Sequence, residues 1–364
     1  MSVKRCEKSQ LFITIAKFEY IFLYSKNIVS LNISENIMTN LTTKYMGLLL
    51  KSPIIIGSSG LTNSVENVIN FENRGAGAVV LKSLFEEQIR HDIRTTLNKS
   101  DTGLYPEAVD YITNYSKIQQ VDEYLHLIRD CKTAVKIPII ASINCVTADE
   151  WITFAARIQD AGADALELNV FILPSDKIKT GVQNENTYFL ILEEIKKYIK
   201  IPVALKISSY FSGLANTVQK LSWSGVNGLV LFNRFVTPDI NIDKMEITTT
   251  NIFSSPKEMA NVLRWIAILS DNLKTDIVAS TGIHDGKTLI KMILAGATAV
   301  QIASTLYKNG FGRINSMIIE LETWMEQHNY SSIDEFKGKM SFKNTANPAA
   351  YLRVQFMKHY AGIE

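Results

Sequence analysis

The chain has 364 residues, 46% hydrophobic and 20% charged, a globular composition long enough to bury one large core or two smaller ones. Its 38 basic and 36 acidic residues are scattered, for a formal net charge of +2, and form no basic stripe, which argues against a nucleic-acid partner. Cys6, Cys131 and Cys145 make neither a metal-ligand spacing nor a disulfide framework, so no metal is expected and a reducing cytoplasm is the simplest compartment.

In chain order, Leu11–Leu23 is apolar and follows Lys4, Arg5 and Lys8. Lys17 and Glu19 interrupt it, no small-residue cleavage site follows, and it is too short to span a bilayer. Neither a signal peptide nor a membrane anchor is expected. Residues 1–37 read as an appended extension, and the folded domain is expected to open near Met38 and to run through residues 38–330.

From Pro53 onward, apolar strand-like runs alternate with helix-period segments. The strand candidates are Pro53–Gly57, Gly77–Leu81, Ile137–Ser142, Ala165–Asn169, Pro202–Ile207, Gly228–Phe232, Ile277–Ser280 and Ala299–Ala303. Helices are expected near Val65–Arg74, Gln120–Val135, Asp149–Ala161, Thr187–Ile199, Leu214–Ser222, Pro256–Ser270 and Asp285–Leu294. Arg74-Gly75, Ala161-Gly162, Ser224-Gly225 and Ala295-Gly296 read as helix ends. The strand runs are continuous rather than alternating, as befits parallel strands covered on both faces. The repeat predicts an α/β fold of the (β/α)8 TIM-barrel type, with a doubly wound sheet as the alternative. Two long connections, Glu86–Gln119 and Phe235–Asn251, are expected to build substrate walls on the catalytic face. Residues 331–364 read as a helical closure of the same domain, its helix starting at Asn347-Pro348.

Ile277–Ser304 carries the most information. A strand breaks at Thr281-Gly282, a helix follows, and Ala295-Gly296-Ala297 leads into the last strand. A Gly-bearing turn before a helix presents backbone N–H groups that suit a phosphate, and loops after strands seven and eight of a barrel commonly do so. The other strand ends carry Ser58-Ser59-Gly60, Lys82-Ser83, Asn144, Asn169, Lys206 and Asn233. Lysine is rarely buried without a partner, so two lysines at the ends of apolar runs, with three asparagines, predict a ligand site.

These segments resemble the dihydroorotate dehydrogenase family, FMN-containing (β/α)8 barrels, from about Thr42 to Leu306. PIIIGSSGLT is similar to that family's flavin-contacting first strand, GAVVLKS to its second, ALELN to its fourth and IPVALKIS to its fifth; STGI and AGATAVQIAS are similar to its phosphate loops. The resemblance implies an oxidoreductase acting on a CH–CH bond, dihydroorotate to orotate in pyrimidine biosynthesis. It places FMN against Ser58, Ser59, Gly60, Lys82, Ser83, Asn144, Asn169 and Lys206, with Gly282, Ala303 and Ser304 around the phosphate. Lys82, Lys206 and Asn169 become the catalytic candidates, with Lys206 favouring the reduced flavin anion. A homodimer and a separate electron-transfer partner are implied as possibilities.

One loop departs from the pattern. The family continues from its strand-four Asn into a Ser-Cys-Pro-Asn or Ser-Ser-Pro-Asn sequence that supplies the proton-accepting base. Here the chain reads Asn169-Val170-Phe171-Ile172-Leu173-Pro174, and Ile172 stands at the base position. Ser175, Asp176 and Cys145 are the possible substitutes. A further family Asn is missing where Gly103-Leu104-Tyr105-Pro106 stands, which leaves Asn169 and Asn233 as substrate-binding amides. Arg90, His91 and Arg94 follow Lys82, and Arg234 with one of Arg90 or Arg94 suggests an anionic small-molecule substrate, because Arg forks suit carboxylates and phosphates. The alternatives are a flavin-binding protein or subunit without dihydroorotate turnover, and a flavin-free phosphate-binding lyase or isomerase using Lys82 or Lys206 as a Schiff base.

Overall fold

The computed structural model describes residues 39–87, 106–144 and 148–352. The chain divides at Thr39/Asn40, and the elements below all belong to the second unit, Asn40–Glu364. An antiparallel hairpin, β1 (Thr43–Tyr45) and β2 (Leu48–Leu50), opens it. Eight parallel strands come next: β3 (Ile54–Ile56), β4 (Ala78–Val80), β6 (Ile139–Asn144), β7 (Ala165–Asn169), β8 (Val203–Ile207), β9 (Gly228–Leu231), β12 (Asp276–Ser280) and β13 (Ala299–Ile302). The neighbour order runs β4-β3-β13-β12-β9-β8-β7-β6, and pairing of Val79 and Val80 with Ile139 and Ile140 closes the ring. Closure decides for the barrel over the doubly wound sheet. A two-residue strand, β5 (Leu84–Phe85), extends the edge of β6, and the hairpin β10 (Pro238–Asn241) and β11 (Glu246–Thr249) stands outside the barrel.

The described helices are α1 (Val65–Asn73), α2 (Pro106–Ala134), α3 (Ala148–Asp160), α4 (Gly181–Tyr198), α5 (Leu214–Trp223), α6 (Met259–Leu269), α7 (Gly286–Ala295), α8 (Ser304–Asn309) and α9 (Arg313–Gln327). α2 begins far earlier than the expected Gln120, so the second half of the polar Glu86–Gln119 connection is helical; residues 88–105 lie outside the described residues. The expected closing helix at Asn347-Pro348 is a single 3₁₀ turn, Pro348–Tyr351. The stretch before it clings to the barrel's helices through backbone bonds from Gly338 to Ile293, Met340 to Leu294 and Phe342 to Ala267.

The period of two along each strand sorts the barrel interior into layers. The lower layer is apolar, with alanine at several positions: Ile55, Ala78, Val80, Ile140, Ala165, Ala204, Val230, Val278 and Ala299 form one buried cluster, closed from below by Tyr45 of β1. Two residues further along the same faces stand Ser142, Glu167, Lys206, Ser280 and Gln301, and the mouth lies beyond them. Small residues below leave room for Tyr45, whose ring presses on Gly228. A Cβ at Gly228 would lie 2.6 Å from Tyr45 Oη and 2.8 Å from its Cε2. Gly228→Ala is therefore expected to cost about 1–3 kcal/mol through overpacking, read as a lower urea midpoint with an unchanged slope.

Candidate active site

The strand ends meet around one cavity of about 480 Å³ at the carboxyl end of the barrel. Ser58, Ser59, Gly60, Lys82, Ser83, Asn169, Lys206, Asn233, Arg234, Gly282, Ala303 and Ser304 all line it. Parallel register explains the juxtapositions. Asn169 is the direct partner of Lys206 across β7 and β8, and Ser280 is the partner of Gln301 across β12 and β13. Asn144 ends β6 beside Phe85 and is not among the lining residues. Cys145, Arg90, His91 and Arg94 lie outside the described residues.

Three serines tie the first strand ends together. Ser83 N–H donates to Ser58 Oγ at 2.9 Å, and the Ser83 hydroxyl lies 3.1 Å from that of Ser58 and 2.7 Å from that of Ser142. Ser142 is fixed from behind by Tyr124, whose phenol accepts its N–H at 2.8 Å. Lys206 donates to Gln301 Oε1 at 2.9 Å and pairs with Glu167 at 3.7 Å. Asn233 Nδ2 donates to the Lys206 carbonyl at 3.3 Å, which leaves its amide oxygen for a ligand.

At the other end, the loop after β12 turns through two left-handed residues, Thr281 at φ 82° and Gly282 at φ 79°. The Thr281 hydroxyl donates to the Phe232 carbonyl at 3.1 Å. Behind the loop, Ser254 binds His284 Nε2 through its hydroxyl at 3.0 Å and Ser304 Oγ through its N–H at 3.0 Å. Burial holds the His284 imidazole below its ordinary pKa, and nearby Lys308 adds to the effect. Lys308 donates to the Ser254 carbonyl and Arg313 to the His284 carbonyl, each at 2.8 Å, so two cations brace this end. Ser254, His284, Glu167 and Gln301 are site residues that the strand-end pattern of the sequence does not mark. Glu167 and Gln301 had a signal: each is a polar residue inside an otherwise apolar strand.

Arg234 lines the cavity, but much of its guanidinium is committed to the protein. Nε donates to Glu258 at 2.7 Å, and the terminal nitrogens donate to the carbonyls of Ile252 and Asn251 at 2.9 and 2.8 Å. It straps the long connection after β9 back to the barrel. Burial alone would raise the Glu258 pKa; the bonds from Arg234 and the Ser255 N–H outweigh it and hold the carboxyl below its usual value. A depressed folded-state pKa stabilises the strap above the unfolded value near about 4.3, and that contribution is lost as pH falls through the lower folded value. Arg234→Ala is expected to speed proteolytic cleavage within residues 235–255 at pH 7 several-fold, and acidification below about pH 4 to do the same to the unmutated protein.

The loop after β7 supplies no proton acceptor to the cavity. Ile172 packs on the hydrophobic core, and its backbone is bonded by the buried phenol of Tyr188, which burial pushes up to about 12. Ser175 and Asp176 are exposed and do not line the cavity; Asp176 Oδ1 accepts the Ile178 N–H within its own turn. Phe171 lines the cavity and stacks on Phe235 at 3.8 Å, with Tyr210 edge-on to Phe235.

A sequence model of the family described as "Dihydroorotate dehydrogenase" matches residues 40–325. The chain belongs to the dihydroorotate dehydrogenase family. Its members are flavin-dependent oxidoreductases. Curated relatives include the proteins named dihydroorotate dehydrogenase B (NAD(+)), catalytic subunit, of Thermoplasma volcanium, 26% identical over 83% of this chain and 98% of that protein, and of Methanocaldococcus jannaschii, 25% identical over 82% and 97%. The dihydroorotate dehydrogenase (fumarate) of Saccharomyces mikatae is 24% identical over 83% of this chain and 98% of its own length. Among the described residues no helix is long and apolar enough to cross a membrane, and no cluster of metal-ligating side chains occurs.

The residues fit a flavin. Asn169 Oδ1 and Ser59 Oγ are buried on the cavity wall with no hydrogen-bond partner, as expected of groups that meet a ligand. A Cβ at Gly60 would lie 2.9 Å from Tyr307 Oη, so the wall there admits only glycine without a shift. The volume falls within the range of about 300–1,000 Å³ that holds cofactor-sized ligands.

Proposed function

We propose that this chain holds FMN in the strand-end cavity and acts on a carbon–carbon bond of a small anionic molecule, dihydroorotate being the substrate the family implies. FMN, when bound, supplies a hydride-accepting ring. The observation that carries the reading is the Asn169–Lys206 register pair, with Lys82, at one end of a cavity whose other end is the Thr281-Gly282 turn and Ser304. In this reading Lys206 and Lys82 hold positive charge where electron density accumulates, Asn169 and Asn233 orient donor and acceptor edges, and the Gly282, Ala303 and Ser304 loops carry the phosphate. Arg234 has guanidinium N–H groups left for an acidic substrate only at the margin of its strap. Electrons would leave to a separate partner.

A second reading has a specific observation in its favour. Oxidation of a CH–CH bond releases a hydride and a proton, and the Ile172 loop offers the proton nothing. A flavin-binding subunit without dihydroorotate turnover fits that loop better. Anaerobic mixing of the FMN-loaded protein with dihydroorotate separates the two: bleaching of the flavin absorbance supports turnover, and an unbleached, orotate-insensitive spectrum supports the subunit. A colourless protein that takes up no added FMN would overturn both.

A further inference from the structure

Within the flavin reading, on which this inference rests, the polar layer under the cavity has a role of its own. Glu167 lies in the middle of β7, two residues before Asn169 on the same inward face, and is 1% exposed. One carboxylate oxygen accepts from Gln301 Nε2; the other has no hydrogen bond and lies 3.7 Å from Lys206 Nζ. Gln301, 2% exposed, spends its amide N–H on the carboxylate, so its oxygen must face the ammonium, from which it accepts at 2.9 Å. The three side chains close a ring in which each group's orientation fixes the next.

Packing does not require such a ring. The layer below is filled by Ala165, Ala204, Ala299 and other apolar side chains, and a buried ion pair stabilises a fold no better than apolar residues of like volume. What the ring does is hold Lys206 at one place and offset its charge. We propose that Glu167 is a positioning residue: a buried counter-charge that, through Gln301, sets the location and the net positive field of Lys206 at the flavin. Lys82 then remains the cavity lysine with no side-chain bond or ion pair to the described residues. With Glu167 present, the floor of the site is close to neutral, and the bound flavin is drawn less strongly toward its anionic, reduced form than Lys206 alone would draw it.

The test is redox titration and sulfite binding of the FMN-loaded protein, with FMN in excess. Glu167→Gln keeps the volume and the acceptor for Gln301 but removes the charge. It is expected to shift the two-electron equilibrium about tenfold toward the reduced form, a rise of about 30 mV, and to tighten sulfite binding about tenfold. Lys206→Met in the Glu167→Gln background removes the positive charge as well, and is expected to bring both readings back about tenfold, toward the parent. Glu167→Asp, which retains the charge, should stay within about threefold of the parent. A structural role would leave the double replacement displaced from the parent in the same direction as Glu167→Gln. That result, or both staying within twofold of the parent, or both losing FMN at saturating concentration, would overturn the assignment. A parent protein that binds no FMN defeats the flavin reading instead.

Discussion

Lys206→Ala is expected to slow reduction of the bound flavin by about 10²–10³-fold, about 3–4 kcal/mol of electrostatic stabilisation. The figure is that of a preorganised charge aimed at a place where negative charge develops, in a site shielded from water. In the proposed site Lys206 would meet both conditions: its side chain is 12% exposed, and Gln301 and Glu167 hold it before any ligand arrives. The substitution does a second thing, which has to be separated from the first. It leaves Glu167 buried with no counter-ion, and breaking a buried pair from one side costs about 3–5 kcal/mol of stability. The double replacement Lys206→Met with Glu167→Gln removes both charges. It is expected to recover most of the stability in urea unfolding while the stopped-flow rate stays low. A rate that recovered with the stability would mean that Lys206 acts only by keeping the barrel intact.

The barrel was legible because its signals are local. The residues of β7 coincide with the expected Ala165–Asn169, and the other barrel strands differ from expectation by one or two residues at their ends. Continuous apolar runs and glycine helix ends are properties of single segments. The site was legible to the extent that its residues sit at strand ends, where a change from apolar to polar is visible. Glu167 and Gln301 could be seen as polar residues in apolar strands, but not as partners: 134 positions separate them, and only ring closure brings β7 and β13 to face each other. Arg234 reads from sequence as a free anion-binding fork. Its engagement by Glu258 and by two carbonyls depends on how the Phe235–Asn251 connection folds back, and that connection forms an exposed hairpin whose turn residues, Ile242–Met245, carry no Asn-Gly signature. α9 carries a readable signal, with buried Ile314, Met317, Leu321 and Met325 at helical spacing, but it lies beyond the last strand, where the strand–helix repeat no longer points to a helix.

Gly282→Ala is the substitution expected to do most damage at the opposite end of the cavity. Two independent costs fall on one methyl group. Gly282 has φ 79°, where an L side chain is strained. Its Cβ would also lie 2.3 Å from Met259 N, 2.8 Å from Met259 Cα and 2.9 Å from the Glu258 carbonyl carbon. All three are backbone atoms at the start of α6, so no side-chain rotation relieves the contact; the turn or the helix must move. Overpacking and strain together are expected to cost about 2–5 kcal/mol, read by denaturant unfolding of the flavin-free protein. Thr281 shows that the local φ alone is tolerable: it stands at 82° with its hydroxyl bonded to the Phe232 carbonyl, and such a bond offsets about 1 kcal/mol of strain. At Gly282 nothing offsets the clash. If this turn carries the phosphate, FMN affinity should fall by about 100-fold, because the loss of a few well-placed N–H contacts to a dianion amounts to about 3 kcal/mol. Riboflavin has the same ring and no phosphate, and its weaker binding should be the same in the variant and the parent. An equal loss for both ligands would place the damage in the barrel as a whole and remove the phosphate from this loop.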